Sequence, residues 1–340
     1  MRKFRCSCGG EIYFDSESCL SCGSKVCYSP RSNDFDRVAK EIFASRESDN
    51  SGGTLELCSN GKLHGVCNWE RDPSSEEGLC FACGFNRVIP NLTKPENIGR
   101  WRVMEVAKKR LIYTLIGLQI PCINRLRSRK FGFLFDFLED KRTNRCIDRD
   151  FIATGYADGI ITINLLEADP VTRVEQKEAA NEAYRTVLGH MRHESGHHYW
   201  NLLKYSKNIW NEFECLFGAE EVSYELALKR YYSEGPEPAW GDKFISPYAS
   251  MHPLEDWAET WAHYLHINDS LETAESFGIL SSRPSDFAEK VKVWAKLSIG
   301  LNELNRGMGV PDNYPFVINP EVTKKLMFVD KAIKMFRLVY

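Results

Sequence analysis

Nine cysteines fall before residue 84, and eight of them form two groups with the spacing of metal ligands. Cys6, Cys8, Cys19 and Cys22 follow C-x-C-x10-C-x2-C, while Cys58, Cys67, Cys80 and Cys83 follow C-x8-C-x12-C-x2-C. Two of the pairs, CLSCGS and CFACGF, have the C-x-x-C-G form of a zinc knuckle, in which glycine lets the backbone turn so that N–H groups face the thiolates. Four thiolates around one Zn²⁺ make a closed tetrahedral site with no place for a substrate, so the expected role is structural. Such binding contributes about 10–16 kcal/mol to folding. Residues 1–95 need that support, because they have few long apolar runs and include the Ser/Asn/Gly-rich stretch 48–53. Sequential pairing, each group on its own ion, closes the shorter loops and is the expectation. The alternative joins the two knuckles and leaves Cys6, Cys8, Cys58 and Cys67 as the second set. Cys27, Cys122, Cys146 and Cys215 stand alone and read as buried free thiols.

No apolar stretch follows the charged start MRKFRCSCGG, so no signal peptide is read, and paired cysteines in such a chain suit metal better than disulfides. The most apolar run, 111–123, is 13 residues long and holds Thr114, Gly117 and Gln119. A bilayer span needs roughly 18. No membrane partner is expected, and the cytoplasm is the default location. A composition of 43% hydrophobic and 27% charged residues describes a soluble globular chain with material for a core. Zinc ribbons often bind nucleic acid, but residues 1–90 carry 11 Lys/Arg against 13 Asp/Glu before the thiolates add negative charge. That is a poor surface for phosphates. A protein partner, or a purely structural role, fits the ribbon region better than nucleic acid.

The 340 residues suffice for two domains. Pro90 and Pro95 bracket a polar linker, which sets the expected boundary: a zinc-ribbon domain over 1–95 and a second domain over 96–340. Trp101, Met104, Ala107, Leu111, Leu115 and Leu118 recur at helical spacing, predicting an amphipathic helix over about 97–119, ended by Pro121. The basic stretch 124–130 reads as a solvated face. Asp158-Gly159 gives turn chemistry before the β-branched run Ile160 to Leu165, a strand. Asp169-Pro170 then offers an N-cap with proline at the first helical position. That helix is expected to run to about Leu203 with Ala180, Ala183, Tyr184, Val187, Leu188 and Met191 on its buried side.

Near its end stands His193-Glu194-Ser195-Gly196-His197, a His-Glu-x-x-His motif. Residues four apart on a helix share a face, so both imidazoles can reach one zinc at about 2.0–2.1 Å. Glu194 beside them can hold the zinc-bound water as general base. Gly196 costs a helix roughly 1 kcal/mol relative to alanine, which close approach of another segment would explain. His190 and His198 are expected to pack rather than ligate.

A catalytic zinc needs a third protein ligand and an open position for water. The downstream candidate is 251–267, MHPLEDWAETWAHYLHI, where Pro253 suits a helix start. Glu255 and Glu259 are four apart on one face, as are Glu259 and His263, and spacing leaves the choice between the glutamates open.

The cysteine clusters followed by HMRHESGHHYW and HPLEDWAETWAHYLH resemble a family of bacterial zinc-ribbon-containing, zinc-dependent metallopeptidases across nearly the whole chain. Relatives often carry C-x-x-C where this chain has Cys6-Ser7-Cys8. More broadly, the Glu-x-x-x-Glu arrangement resembles gluzincins of the thermolysin and anthrax lethal-factor types. The resemblance implies that Glu255 is the third zinc ligand and that Glu259 orients a zinc histidine. It also draws attention to Tyr248, seven residues before Glu255, as a hydrogen-bond donor to the oxyanion, with His252 as the rival.

The expectation is therefore an α+β chain: an N-terminal zinc-ribbon module, then a mainly helical zincin-like domain with a small sheet. Three zinc ions are expected, one catalytic and two structural. The reaction is peptide hydrolysis of a peptide or protein substrate, which the strand from Ile160 to Leu166 would align by main-chain pairing. A zinc hydrolase acting on a non-peptide amide or ester, and a non-catalytic ribbon adaptor, are the alternatives.

Overall fold

The computed structural model describes residues 1–39, 55–219 and 223–339. The polar stretch 48–53 lies outside them. At the N-terminus β1 (Phe4–Arg5) and β2 (Glu11–Ile12) form one antiparallel pair, and β3 (Val26–Ser29) and β4 (Asp34–Arg37) another. Strands this short leave little core between them, and aromatic rings fill the gap. The Tyr28 ring centre lies 4.9 Å from that of Trp69, and Phe14 lies 5.1 Å from Tyr113. A short helix, α1 (Ser59–His64), sits inside the second cysteine loop and ends at Gly65, whose φ of 63° suits glycine.

Tyr113 belongs to α2 (Pro95–Gly117), so the ribbon region shares its core with the helical part of the chain. Proline opens α2 at a position whose N–H has no intrahelical partner. Trp101, Met104, Ala107, Leu111, Leu115 and Leu118 are all buried, as their spacing predicts. Gln119, at φ 55°, turns the chain away before Pro121.

Four strands make the sheet: β5 (Asn86–Val88), β6 (Leu134–Leu138), β7 (Gly155–Ala157) and β8 (Ile160–Asn164), in the order β5-β6-β8-β7. β5 and β8 run parallel to β6, whereas β7 folds back antiparallel on β8 through Asp158-Gly159. Both turn residues have positive φ, 45° and 74°, the geometry that matches the twist of a two-residue hairpin. One strand of the sheet thus comes from before residue 95. The expectation for a substrate on the 160–166 strand is corrected here. β8 is interior, its residues Ile160 to Thr162 paired with β6 on one side and β7 on the other. The edge is β7.

The long helix expected from Asp169 to Leu203 is two helices, α3 (Pro170–Ala179) and α4 (Val187–Leu203). Asp169 caps α3 as expected, its side chain accepting from Val171 and Thr172 N–H. Asn181, one of the few residues at ease at positive φ, takes 51° and ends α3. Thr186 then caps a new start by accepting from Gly189 N–H at 2.9 Å. Ala180 and Ala183 are accordingly exposed and Tyr184 half-buried, while Val187 and Met191 are buried.

The remaining helices are α5 (Lys207–Phe217), α6 (Tyr224–Glu234), α7 (Pro253–Ser276), α8 (Phe287–Gly307) and α9 (Pro320–Val339). α4 and α7 form the central pair. A Cβ on Gly196 would lie 2.9 Å from Ala258 Cα, so glycine is what lets these backbones approach. Two tryptophans of α7 fasten the contact: Trp257 Nε1 donates to Gly196 O at 2.8 Å, and Trp261 Nε1 to Ser195 Oγ at 3.0 Å. α2 joins through Thr114 Oγ1, which donates to Asp269 Oδ2 at 2.6 Å. Arg192 pairs with the same carboxylate.

The chain is therefore α+β, an N-terminal cysteine-rich region followed by a mainly helical part with a small sheet. Among the described residues no helix is long and apolar enough to cross a membrane. The four isolated cysteines divide: Cys27 is buried and Cys122 half-buried, but Cys146 and Cys215 are exposed, against the expectation of buried thiols. Cys215 lies on the solvent side of the amphipathic helix α5, and Cys146 in a polar loop after β6.

Candidate metal centres and active site

The cysteines gather as sequential pairing requires. The ligand atoms of Cys6, Cys8, Cys19 and Cys22 lie within 4.8 Å of one another, as do those of Cys58, Cys67, Cys80 and Cys83. Zinc–sulfur bonds of about 2.3 Å at tetrahedral angles put sulfurs about 3.8 Å apart. Cys6 and Cys22 sulfurs are 3.8 Å apart, Cys8 and Cys19 3.6 Å, and Cys67 and Cys80 3.6 Å. Four sulfurs gathered around one point in each set fit a zinc ion. Backbone N–H groups turn toward the sulfurs, Cys80 N donating to Cys58 Sγ at 3.2 Å and Cys83 N to Cys80 Sγ at 3.3 Å. Gly23 takes φ 72° behind the first knuckle.

The third cluster is built by α4 and the first turn of α7. His193 and His197, one turn apart, present their rings 4.9 Å centre to centre, and Glu255 enters from the facing helix. Glu255 Oε2 lies 2.9 Å from His193 Nε2, and Oε1 lies 3.6 Å from His197 Nε2. All three ligand atoms fall within 4.8 Å of one another. Proline at the first position of α7 and His252 at its N-cap, where Nδ1 accepts from Leu254 N–H at 3.1 Å, aim this turn. Glu255 is 1% exposed, yet burial does not raise its pKa, because His197 and His193 facing it keep it below the usual carboxylate value.

Glu259, one turn further on, holds the far side of His193. Its Oε1 accepts a hydrogen bond from Nδ1 at 2.7 Å, leaving Nε2 to face Glu255, and its Oε2 accepts from Ser246 Oγ at 2.7 Å. Burial opposes its charge, but these bonds and the His193 ring hold it at about 2. Burial works against charge on His193 as well, and the two carboxylates overcome it, raising its pKa well above the usual value. His193 thus sits where either a proton or a metal cation balances two carboxylates. At His197 burial outweighs the pull of Glu255 and depresses the pKa to about 4.

Glu194 is buried beside the cluster, with Oε2 3.9 Å from His197 Nε2 and no hydrogen-bond partner among the described residues. Burial pushes this carboxyl up to about 7. An orphaned buried oxygen beside one imidazole of the His193, His197 and Glu255 cluster is the arrangement a metal and its water would complete. The donor set fits zinc.

Tyr248 is brought here too: its ring centre is 6.1 Å from that of His193, and its hydroxyl interacts with that of Tyr224. Sequence reasoning missed Tyr224. Its phenol donates to Glu255 Oε1 at 3.0 Å from the first residue of α6. No motif marks it, because a tyrosine at a helix start 31 residues before Glu255 has no spacing rule behind it. The six other histidines stay out of the cluster. His190 lies 3.4 Å from Glu167 Oε2, and His198 packs on Phe133 at 4.9 Å. His263 bonds Tyr314 at 2.7 Å, and His252 caps α7.

The β1–β2 hairpin meets α7 at its other end, where Lys3 N donates to Ser276 Oγ at 2.7 Å. Along a helix rising 1.5 Å per residue, that is about 30 Å from Glu255. The edge strand β7 does pass the site, with Tyr156 6.4 Å from the His197 ring.

A family model described as "Putative zinc-binding metallo-peptidase" matches residues 97–332, and a zinc-ribbon domain model matches residues 3–94. An uncharacterized protein of Mycobacterium bovis and two of Mycobacterium tuberculosis are each 37% identical over 344 aligned residues, covering 98% of this chain and 95% of theirs. No solved structure matches.

Proposed function

The chain belongs to the zinc-binding metallopeptidase family, and from that premise we propose that it hydrolyses peptide bonds at the cluster between α4 and α7. His193, His197 and Glu255 would hold a catalytic zinc, and each cysteine set a structural one. The observation that carries this reading is the buried Glu194 Oε2, which lies 3.9 Å from His197 Nε2 and has no hydrogen-bond partner among the described residues. A structural site has no use for a base that holds no metal. Zinc bound here supplies a Lewis acid and lowers the pKa of water to about 7.

The chain's own residues do the rest. Glu194 takes a proton from the attacking water and returns it to the leaving amine. Glu259, backed by Ser246, keeps the His193 proton on Nδ1 and its other nitrogen free. Tyr248 is assigned the hydrogen bond to the oxyanion. The substrate runs along the outer edge of β7, which carries no strand partner among the described residues. The thiolate clusters suit a reducing, cytoplasmic setting.

The test compares peptide termini in cells producing the wild-type chain or Glu194→Gln, with metal content measured on both purified proteins. New termini confined to the wild type, at equal zinc content, support the reading. Equal termini in both remove Glu194 from the mechanism. Turnover of simple esters or amides without any peptide cleavage would move the substrate class.

A further inference from the structure

The two cysteine clusters differ in one respect that the fold does not require. In the second, Cys58, Cys67, Cys80 and Cys83 are all buried. In the first, Cys8 and Cys22 are exposed while Cys6 and Cys19 are buried. Within the first cluster each exposed sulfur touches a buried one, Cys8 touching Cys19 at 3.6 Å and Cys22 touching Cys6 at 3.8 Å. A sulfur open to solvent is where a small oxidant attacks, and a second thiolate in contact with it is what turns the first product into a disulfide.

We infer that the first cluster is a peroxide-reactive zinc site, in which Cys8 and Cys22 are the sulfurs attacked and Cys19 and Cys6 the sulfurs that resolve them. The Cys8 thiolate attacks one oxygen of hydrogen peroxide, the O–O bond breaks, and hydroxide leaves a sulfenic acid on Cys8. The Cys19 thiolate then attacks the Cys8 sulfur, the S–O bond breaks, and a second hydroxide leaves the Cys8–Cys19 disulfide. Cys22 and Cys6 follow the same course. Two peroxides are reduced to four hydroxides, four thiolates are oxidised to two disulfides, and the zinc dication, left without ligands, is released. The second cluster offers no exposed sulfur to begin this sequence. Its Cys67 and Cys80 sulfurs are as close, at 3.6 Å, but both are buried. Proximity alone is therefore not what separates the clusters; access is. The inference is independent of the proposed peptidase reaction, because the hairpin carrying the first cluster touches α7 at Ser276, far from Glu255.

The experiment uses the full-length zinc-loaded protein. A chromogenic chelator is added first, so that any ion it draws unaided is counted before hydrogen peroxide is introduced. Zinc release then follows by absorbance, and disulfides are mapped by alkylation, proteolysis and mass spectrometry. The expected result is one further zinc released per two peroxides, together with Cys8–Cys19 and Cys6–Cys22 disulfides, at least about tenfold faster than any oxidation of the second cluster. Cys8→Ser and Cys22→Ser, each checked for folding by circular dichroism, should each lose their own disulfide. The wild-type map decides the matter even where a variant fails to fold. Equal oxidation of both clusters, or oxidation confined to the exposed Cys146 and Cys215 with the first cluster intact, would overturn the inference.

Discussion

His193 and Glu259 are joined by a 2.7 Å bond from Nδ1 to Oε1, and the opposite ring nitrogen faces Glu255 at 2.9 Å. Two carboxylates of one helix, a single turn apart, thus grip one imidazole from both sides. The geometry assigns them different work: Glu255 shares its face with His197, whereas Glu259 is turned away toward Ser246.

Removing each glutamate separates those roles. Glu255→Ala leaves two imidazoles and is expected to empty the catalytic site at micromolar zinc. Glu259→Ala is expected to weaken zinc binding only about 10–100-fold, by letting His193 turn. Competition titration with a zinc chelator measures both. Retention of tight zinc in Glu255→Ala would move the ligand to another residue.

Protein purified without added metal is expected to contain close to three zinc ions per chain, because three clusters have ligand atoms within 4.8 Å. Elemental analysis against amino-acid quantitation checks this. Glu255→Ala should reduce the content by one. A value near one in the wild type would refute the ribbon sites.

Gly196→Ala tests the approach of α4 to α7. Alanine would favour the helix by about 1 kcal/mol. Its Cβ would stand 2.9 Å from Ala258 Cα, a backbone atom that cannot swing aside. Overpacking of this kind costs about 1–3 kcal/mol, so the steric effect wins and the variant is expected to be less stable in urea. Zinc affinity at the His193 site should fall as well, since Glu255 retreats with α7. Increased stability would mean that the helices are not in contact there.

Tyr224→Phe removes the phenol that donates to Glu255 Oε1 at 3.0 Å. The carboxylate is then free to rotate, and zinc affinity at that site is expected to fall about tenfold, the lower end for loss of a ligand's supporting bond. Cobalt substitution reads the change directly: the visible spectrum of the His–His–Glu site should shift while the thiolate charge-transfer bands of the ribbon sites stay put. An unchanged affinity and spectrum would reduce Tyr224 to packing.

His198 supplies a pH dependence. Burial lowers its pKa to about 3, so the unfolded chain, with an ordinary histidine, binds the proton more tightly. Stability from this residue is full above the ordinary value near 6.5 and is lost as pH falls from there toward 3, on the order of 3 kcal/mol between pH 7 and 4. His198→Phe keeps an aromatic ring against Phe133 and removes the titration, so its urea midpoint should fall less steeply with acid than that of the wild type. The zinc sites are common to both chains and cancel in the comparison. Parallel curves would contradict the buried neutral imidazole.

The parts legible in sequence were those whose chemistry is local. Cys19 with Cys22, Cys80 with Cys83, and His193 with His197 are each set by one turn of backbone, so spacing alone brings their ligand atoms together. The stripe from Trp101 to Leu118 and the Asp158-Gly159 turn were readable for the same reason. Where a local signal was weak the reading slipped: Asn181 and Thr186 divide a segment whose apolar spacing ran on as one helix.

Position along the chain could not show which glutamate meets His193 Nε2, since Glu255 and Glu259 occupy one helix face and resemblance alone favoured the first. Packing of α4 on α7, brought close by Gly196, separates them by aiming one at both imidazoles and the other at Nδ1. Tyr224 reaches Glu255 from a helix that carries no motif, β5 enters the sheet from the cysteine-rich side of Pro95, and β7 takes the edge that β8 seemed to offer. By itself the sequence determined the ligand types and their local pairs, because backbone geometry over a few residues decides those. Only the tertiary structure decided which distant groups face them, because that depends on how closely two helices can approach and which side chains fill the space between.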